Sequence, residues 1–158
     1  MWGNTHTPIL NMTTIHEMLR RVQAVDLQKA GTNIVANTKP ELITKNKEQL
    51  LDSGVNRLGV KLRKYRSNSY AARKHAINPF PGFGNPDLYR TGAFQQGFKL
   101  KLTSSNKFEI YSDDSKSKML TEKYGSDIFG LTEESKNEYR QEVMHPELVK
   151  ELKKTLKV

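Results

Sequence analysis

The stretch that decides the fold reads Asp87-Leu88-Tyr89-Arg90-Thr91-Gly92-Ala93-Phe94. Before it, apolar residues recur at helical spacing or stand among prolines and glycines. After it, they alternate with polar residues, at Phe94, Phe98, Leu100 and Leu102. Alternation with a period of two predicts a half-buried strand. The stretch therefore marks the point where a region of helices and loops gives way to a sheet.

A second alternating segment follows, with Phe108 and Ile110 as its apolar positions. Between the two segments lie residues 103–106, Thr-Ser-Ser-Asn, whose side chains favour turns. We therefore expect an antiparallel hairpin over about residues 93–112. With helices on both sides of it, the chain is expected to have an α+β fold.

Helical spacing dominates the amino-terminal region. From Thr14 onward, apolar residues on one helical face predict a helix over residues 14–30 that stops at Gly31. A second helix is expected over residues 38–52. The Thr38 side chain is expected to cap its first turn, and the Glu41 side chain to reach back to the start of the helix. Ser53-Gly54 closes it. Residues 1–12, which include Pro8, are expected to form a flexible arm.

Helices are also expected after the hairpin. Residues 115–124 read as a helix that turns Met119, Leu120 and Tyr124 inward and stops at Gly125. Thr132 is expected to cap a further helix, and Pro146 to open the last one. Residues 13–158 are then one α+β domain, long enough to bury about 70% of the unfolded surface.

The composition excludes several classes of protein. The chain of 158 residues has no cysteine, which excludes a thiol nucleophile or a thiolate metal site and fits a reducing cytoplasm. Its longest apolar runs are three or four residues, too short for a membrane span. The amino terminus has no basic residue before Arg20 and no continuous apolar core, so no secretory signal is expected.

The net charge of +9 belongs to the first half of the chain. Residues 1–86 hold 13 lysines and arginines against 5 acidic residues, whereas residues 87–158 hold 13 against 12. The loop segment 53–86, with a short helix expected near residues 69–75, contains no acidic residue. We expect a polyanion or an acidic protein surface to contact its cations. These are Arg57, Lys61, Arg63, Lys64, Arg66, Arg73 and Lys74.

A proline-rich loop closes this segment. Residues 78–86 read Asn-Pro-Phe-Pro-Gly-Phe-Gly-Asn-Pro, in which prolines fix φ and glycines permit positive φ. The loop is therefore expected to be shaped rather than to act as a linker. Its aromatic residues, Phe80 and Phe83, are expected to pack on the core or on a neighbouring subunit.

Catalytic signals are weak throughout. The four histidines do not share the spacing of a helical metal pair, and no nucleophile elbow or phosphate-binding glycine loop occurs. Asp113-Asp114 with Glu109 suggests a divalent-cation site of the nuclease type, but acidic residues at a strand end commonly form turns. We favour the turn, and expect no enzyme, no cofactor and no metal site.

Several short motifs follow one another along the chain. They are Leu88, Thr91-Gly92, Phe94, the hairpin, Tyr124-Gly125 and Phe129-Gly130-Leu131-Thr132. In this order, over roughly residues 40–145, the chain resembles the bacteriophage virion-morphogenesis and tail-completion (head–tail joining) proteins. Its proline-rich loop is longer than the family pattern predicts at this position. By the resemblance, the structural motif residues are Thr91, Gly92, Gly125, Phe129 and Gly130.

The resemblance implies a role in assembly. It implies a small α+β subunit, made in the cytoplasm of a bacterial host, that forms a homo-oligomeric ring in the neck of the virion between the portal or connector and the tail. The basic segment would then face acidic connector subunits or the genomic DNA in the lumen. No cofactor and no reaction are implied.

Nucleic-acid binding is the alternative interpretation. The basic residues between 57 and 74 are interleaved with Tyr65 and Tyr70, as cations and aromatic rings are on nucleic-acid surfaces. No zinc pattern, KH glycine loop or aromatic ribonucleoprotein motif accompanies them. An accessory protein that binds nucleic acid through residues 57–74 therefore stays a second hypothesis.

Overall fold

Helices flank a small antiparallel sheet, so the α+β class is confirmed. The computed structural model describes residues 12–104 and 107–156. The first half holds α1 (Met12–Gln23), α2 (Leu27–Asn37), α3 (Lys39–Glu48) with a π-helical turn over Gln49–Ser53, and α4 (Asn68–Ile77). The second half holds α5 (Ala93–Gln96), β1 (Phe98–Ser104), β2 (Lys107–Ser112), α6 (Ser117–Tyr124), a 3₁₀ turn (Ser126–Ile128), α7 (Glu133–Tyr139), a π-helical turn (Arg140–Met144) and α8 (His145–Leu156).

The amino-terminal helix is shorter than predicted, and a stop at Gly31 is wrong. α1 ends at Gln23, and Asp26 caps a new helix, because its Oδ1 accepts a hydrogen bond from the Lys29 amide at 3.0 Å. Gly31 lies inside α2 and faces Met144. Packing against the carboxy-terminal helices thus offsets the roughly 1 kcal/mol that glycine costs in a helix. The predicted arm, apart from Met12, lies outside the described residues.

Thr38 does not cap α3, although that helix begins where predicted. The Thr38 hydroxyl donates to the Ile34 carbonyl at 2.7 Å and pairs with the Tyr139 hydroxyl at 2.6 Å. Because α2 runs up to this residue, the hydroxyl finishes that helix and joins it to α7. The predicted stop at Gly54 is confirmed, since this glycine closes the π-helical turn at φ +59°.

The hairpin is confirmed, but it starts later than predicted. Phe94 lies in the single helical turn of α5, which Gly92 opens at φ +83°, and β1 begins only at Phe98. Leu100 then faces Ile110 across the sheet. Phe94, in α5, and Phe98, the first residue of β1, are four residues apart, and their ring centroids lie 5.1 Å apart. The turn residues 105 and 106 lie outside the described residues.

The elements after the hairpin follow the prediction in part. Gly125 ends α6, and the Thr132 hydroxyl caps α7 by accepting from the Ser135 amide at 3.2 Å. Leu120 and Tyr124 are half-buried as expected, but Met119 is 54% exposed. The inward placement of Met119 is therefore wrong.

The last helix, α8, begins at His145, so Pro146 lies in its first turn as predicted. The helical run is nevertheless continuous from Glu133 to Leu156, because the π-helical turn over Arg140–Met144 connects α7 to α8. A proline lacks the amide proton, and its ring clashes with the carbonyl four residues earlier. The wider turn accommodates both effects without breaking the helix.

One cluster of buried side chains connects α3, the hairpin and α7. Its buried aromatic members are Phe94, Phe98 and Tyr139, and the partly buried Phe129 packs against it, with centroids of the three phenylalanine rings 5.1–5.9 Å apart. Its fully or nearly buried aliphatic members are Leu42, Leu50, Leu62, Leu100, Ile110, Ile128 and Leu131. This cluster fixes the positions of the loops around the candidate site.

Two buried amides hold the loop that precedes α7. Asn46 donates to the Ile128 carbonyl at 3.3 Å and accepts from the Gly130 amide at 3.1 Å. Gln49 accepts from the Thr132 amide at 2.9 Å. The motif Phe129-Gly130-Leu131-Thr132 is thus bound to α3 and its π-helical turn by side chains that satisfy its backbone.

Candidate functional site

A buried ion pair lies behind the candidate site. Lys74, on α4, and Asp87 are 8% and 1% exposed, and the Lys74 ammonium lies 2.8 Å from Asp87 Oδ1. The Asp87 carboxylate also accepts from the Tyr89 amide at 3.0 Å and from Asn78 Nδ2 at 3.2 Å. Gln95 donates to the Asp87 carbonyl at 3.0 Å. With this many hydrogen bonds, the buried charges are compensated.

The chain turns sharply after Asp87. Leu88 has φ +52°, a left-handed conformation that an L-residue with a side chain rarely adopts. It persists here because Asp87 holds the backbone on one side while the Leu88 side chain packs against the core cluster. The turn directs Tyr89 and Arg90 away from the core, where both are exposed.

A cleft of about 800 Å³ opens next to this turn. It lies between the segment 63–67, α4, the turn 88–92 and α6. Its cations are Arg63, Lys64, Arg66, Arg90, Lys116 and Lys123, together with the paired Lys74. No acidic residue is among the described residues that line it. We call this site the basic cleft.

The floor of the basic cleft is apolar. Leu88, Phe94 and Leu120 line it, and Met119 lies at its edge. The Tyr65 hydroxyl is partly buried beside Asp87, and burial, with the negative charge of Asp87 as a second cause, raises the pKa of Tyr65. This hydroxyl therefore stays protonated and uncharged over the physiological pH range.

The tyrosine rings of the basic cleft are already in contact with other groups. Tyr65 and Tyr70 pack edge to face, with centroids 4.8 Å apart. The Arg73 guanidinium lies over the Tyr70 ring, 5.9 Å from its centroid. Tyr89 covers Gly92, where a Cβ atom would come within 3.2 Å of the ring. These contacts hold the three rings in the walls of the cleft, although Tyr89 is 41% exposed.

The seven basic residues singled out from the sequence are not one surface. Arg63, Lys64 and Arg66 line the basic cleft, as does Lys74, whose charge is buried against Asp87. Arg57 pairs with Asp127 at 2.7 Å, and Lys61 donates to the Ser53 carbonyl at 2.6 Å. Arg73 stacks on Tyr70.

The other cations of the cleft are not apparent from the sequence. Arg90, Lys116 and Lys123 come from the turn after Asp87 and from the region of α6, far along the chain from residues 63–66. No spacing connects them. Asp87 does have a sequence signal, because it is the first acidic residue after the acid-free segment that follows Asp52.

The proline-rich loop presents its two phenylalanines to solvent. Phe80 and Phe83 are 75% and 52% exposed, so packing of these side chains in the core is wrong. The Phe83 ring packs edge to face with the His75 ring, with centroids 5.8 Å apart. The other part of the prediction, packing on a neighbouring subunit, stays a prediction.

The motif residues lie at backbone turns. Gly92, Gly125 and Gly130 have φ of +83°, +89° and +108°, which favour glycine. Phe129 packs against the core cluster, whereas Thr91 is exposed at the edge of the basic cleft. These residues shape the loops around the cleft and the hairpin.

The acidic residues after β2 form a turn and ion pair. Asp113 pairs with Lys99 on the neighbouring strand, and this pairing lowers the pKa of the Asp113 carboxyl. Asp114 Oδ1 accepts from the Lys116 amide at 2.9 Å. Among the described residues, no three side chains of the metal-ligating types lie close enough together to hold an ion.

Comparison with known proteins adds no relative. Protein-family models, curated proteins and solved structures gave no match. Within residues 12–104 and 107–156, no helix has the length and apolar character needed to cross a membrane.

Proposed function

We propose that this chain is a structural subunit of a bacteriophage virion that joins the portal or connector to the tail as part of a homo-oligomeric ring in the neck. The observation that carries the proposal is the proline-rich loop, which holds Phe80 and Phe83 out of the fold. The order of motifs in the sequence, similar to that of head–tail joining proteins, supports the same role. Both point to assembly rather than to a reaction.

The loop is held in one conformation by hydrogen bonds. Its Gly84 carbonyl accepts from the Tyr65 amide at 2.9 Å, its Pro81 carbonyl accepts from Asn85 Nδ2 at 2.5 Å, and Asn78 Nδ2 donates to the Leu51 carbonyl at 2.9 Å. Two aromatic side chains on a fixed loop lose little entropy when a partner covers them. Aromatic residues presented in this way are typical anchors of protein interfaces.

Two other surfaces suit contacts between subunits. The described sheet has only two strands, so each has an outer edge without a strand partner. α1 packs on α8 but leaves Ile15, Leu19 and Val22 exposed. A subunit with different surfaces on different sides forms heterologous contacts, which close into a ring when the rotation fits.

Substitution of both phenylalanines in the phage or prophage that encodes the chain tests the proposal. With Phe80→Ser and Phe83→Ser together, we expect filled heads and separate tails to accumulate in electron micrographs. Because both side chains are exposed, the thermal unfolding midpoint should stay close to that of the wild type. Leu27→Ser, an exposed apolar residue outside the loop, is the matched control and should give joined particles. Normal joining by the double variant would contradict the proposal.

Nucleic-acid binding is a second candidate, favoured by the six cations of the basic cleft that have no acidic partner among the described residues. Its test is the salt dependence of binding to DNA, since the logarithm of the affinity falls linearly with that of the salt concentration. Arg63→Ser, Lys64→Ser and Arg66→Ser together should then abolish retention on DNA. A shallow salt slope, unchanged by these substitutions, would exclude this candidate.

A further inference from the structure

We propose that the basic cleft binds an acidic peptide segment with a bulky apolar side chain, supplied by a neighbouring subunit of the particle. The inference rests on the proposed function, because it names the chemistry of one partner of the assembled protein. Three features of the cleft carry it: the charge of its rim, the character of its floor and the fixed positions of its rings.

The rim attracts a negatively charged partner. Three arginines and three lysines surround the cleft, and none forms an ion pair with an acidic residue in the described part of the chain. Arginines such as Arg63, Arg66 and Arg90 can bind carboxylates with two parallel hydrogen bonds. Clusters of this kind recognise acidic peptide motifs.

The floor favours a partner that also has an apolar side chain. Leu88, Phe94 and Leu120 lie beneath the cationic rim, and Met119 is half-exposed at the edge. The methionine side chain is flexible and polarisable, and it adapts to apolar groups of different shapes. The cleft volume of about 800 Å³ lies within the range of roughly 300–1,000 Å³ that is usual for ligand pockets.

The aromatic rings favour a peptide over a single-stranded nucleic acid. Proteins that bind single strands offer free ring faces on which the bases stack. Here Tyr70 contacts both Tyr65 and the Arg73 guanidinium, and Tyr89 lies on Gly92. With these rings already in contact, the cleft offers charge at its rim and an apolar depression beneath it.

The walls of the cleft are fixed before any partner arrives. The buried pair of Lys74 and Asp87 links α4 to the turn that follows Asp87. Lys74 also donates to the Tyr89 carbonyl, and Asp87 accepts from the Tyr89 amide at 3.0 Å. A site with such a scaffold binds without the entropy cost of ordering its own walls.

Selection from a random peptide library displayed on filamentous phage, with the full chain immobilised, tests the inference. We expect the recovered peptides to share glutamates or aspartates next to a leucine, phenylalanine or tryptophan. Arg63→Glu with Arg66→Glu should weaken the best peptide by about tenfold or more, because two charge-assisted contacts become repulsive. Lys153→Glu with Lys154→Glu, an equal change of charge on exposed α8 residues, should leave its affinity unchanged.

Each other outcome overturns the inference. Recovered peptides without acidic residues, or peptides that bind the cleft variant equally well, would show that the cleft is not their site. A labelled oligo-dT strand that binds more tightly than the best peptide, and loses affinity in the same variant, would assign the cleft to nucleic acid. Failure of the proposed function is distinct: the peptide would still bind while particles form without this chain.

Discussion

Asp87 is a single carboxylate on which a large part of the site depends. It is nearly inaccessible to solvent, and it receives hydrogen bonds from Lys74, Tyr89 and Asn78. Replacing Asp87 with alanine leaves the Lys74 ammonium buried and uncompensated, so we expect a loss of about 3–5 kcal/mol in the free energy of unfolding. Urea denaturation measures the loss. Asp52→Ala, at an exposed position, is the control, and an equal loss in both variants would refute the expectation.

Two tyrosine hydroxyls should make the folded chain less stable at alkaline pH. Burial is the main cause that raises the pKa of Tyr65 and of Tyr139 above the ordinary value of 10.0. Above pH 10 the unfolded chain loses these protons while the folded chain retains them. The contribution of the two hydroxyls to the free energy of unfolding is therefore fully present below pH 10 and is lost as the pH rises above it. Thermal midpoints measured on either side of pH 10 should fall less steeply for Tyr65→Phe. Parallel curves for the two proteins would argue against this cause.

The loop before α7 depends on α3 rather than on its own residues. Asn46→Leu keeps the volume of the side chain but leaves the Ile128 carbonyl and the Gly130 amide without partners. We expect a loss of about 2–3 kcal/mol in the free energy of unfolding. Hydrogen exchange at the Gly130 amide should accelerate as well. Asn137→Leu, at an exposed position of α7, is the comparison variant and should leave that exchange rate unchanged.

The end of a helix could be predicted from the sequence where it depends on residues nearby in the chain. The stops at Gly54 and Gly125 and the cap at Thr132 follow from local conformational preference. The role of Thr38 and the continuity of α7 with α8 could not be predicted, because the Thr38 hydroxyl pairs with Tyr139 and a π-helical turn precedes α8. Short-range sequence patterns contain neither effect.

The same division applies to the candidate site. A run of cations in one segment, such as Arg63, Lys64 and Arg66, is visible in the sequence. The cleft itself is not, because its opposite side comes from Lys116 and Lys123, which only the fold brings into range. The burial of the Lys74 charge also depends on the fold. The sequence shows Lys74 only as one lysine of a basic segment and does not indicate that Asp87 is its partner.

At the scale of the whole molecule, one segment connects the two proposed contact surfaces. Residues 61–66 contact the proline-rich loop through the bond from Lys61 to Pro81 and the bond from Tyr65 to Gly84. The same segment contributes Arg63 and Arg66 to the basic cleft. A change in the loop is therefore expected to affect both surfaces.

The proposed ring requires a fixed number of copies of this chain in each particle. We expect quantitative mass spectrometry of density-purified particles to give a small, constant number of copies of this chain per portal. Symmetric closure of heterologous contacts is the reason, because it allows only one copy number for a given rotation. Variable numbers would indicate a loosely attached protein, and absence from washed particles would favour the nucleic-acid candidate.

The contact between α1 and α8 also has a consequence for biosynthesis. α1 is the first described helix to leave the ribosome, and α8, whose Leu156 carbonyl accepts from Arg21 at 3.4 Å, is the last. α1 therefore cannot dock on α8 until the residues between the two helices have been translated. During that interval Met18, which is half-buried in the folded chain, is open to chaperones or to other nascent chains, whereas Ile15, Leu19 and Val22 are exposed before and after docking.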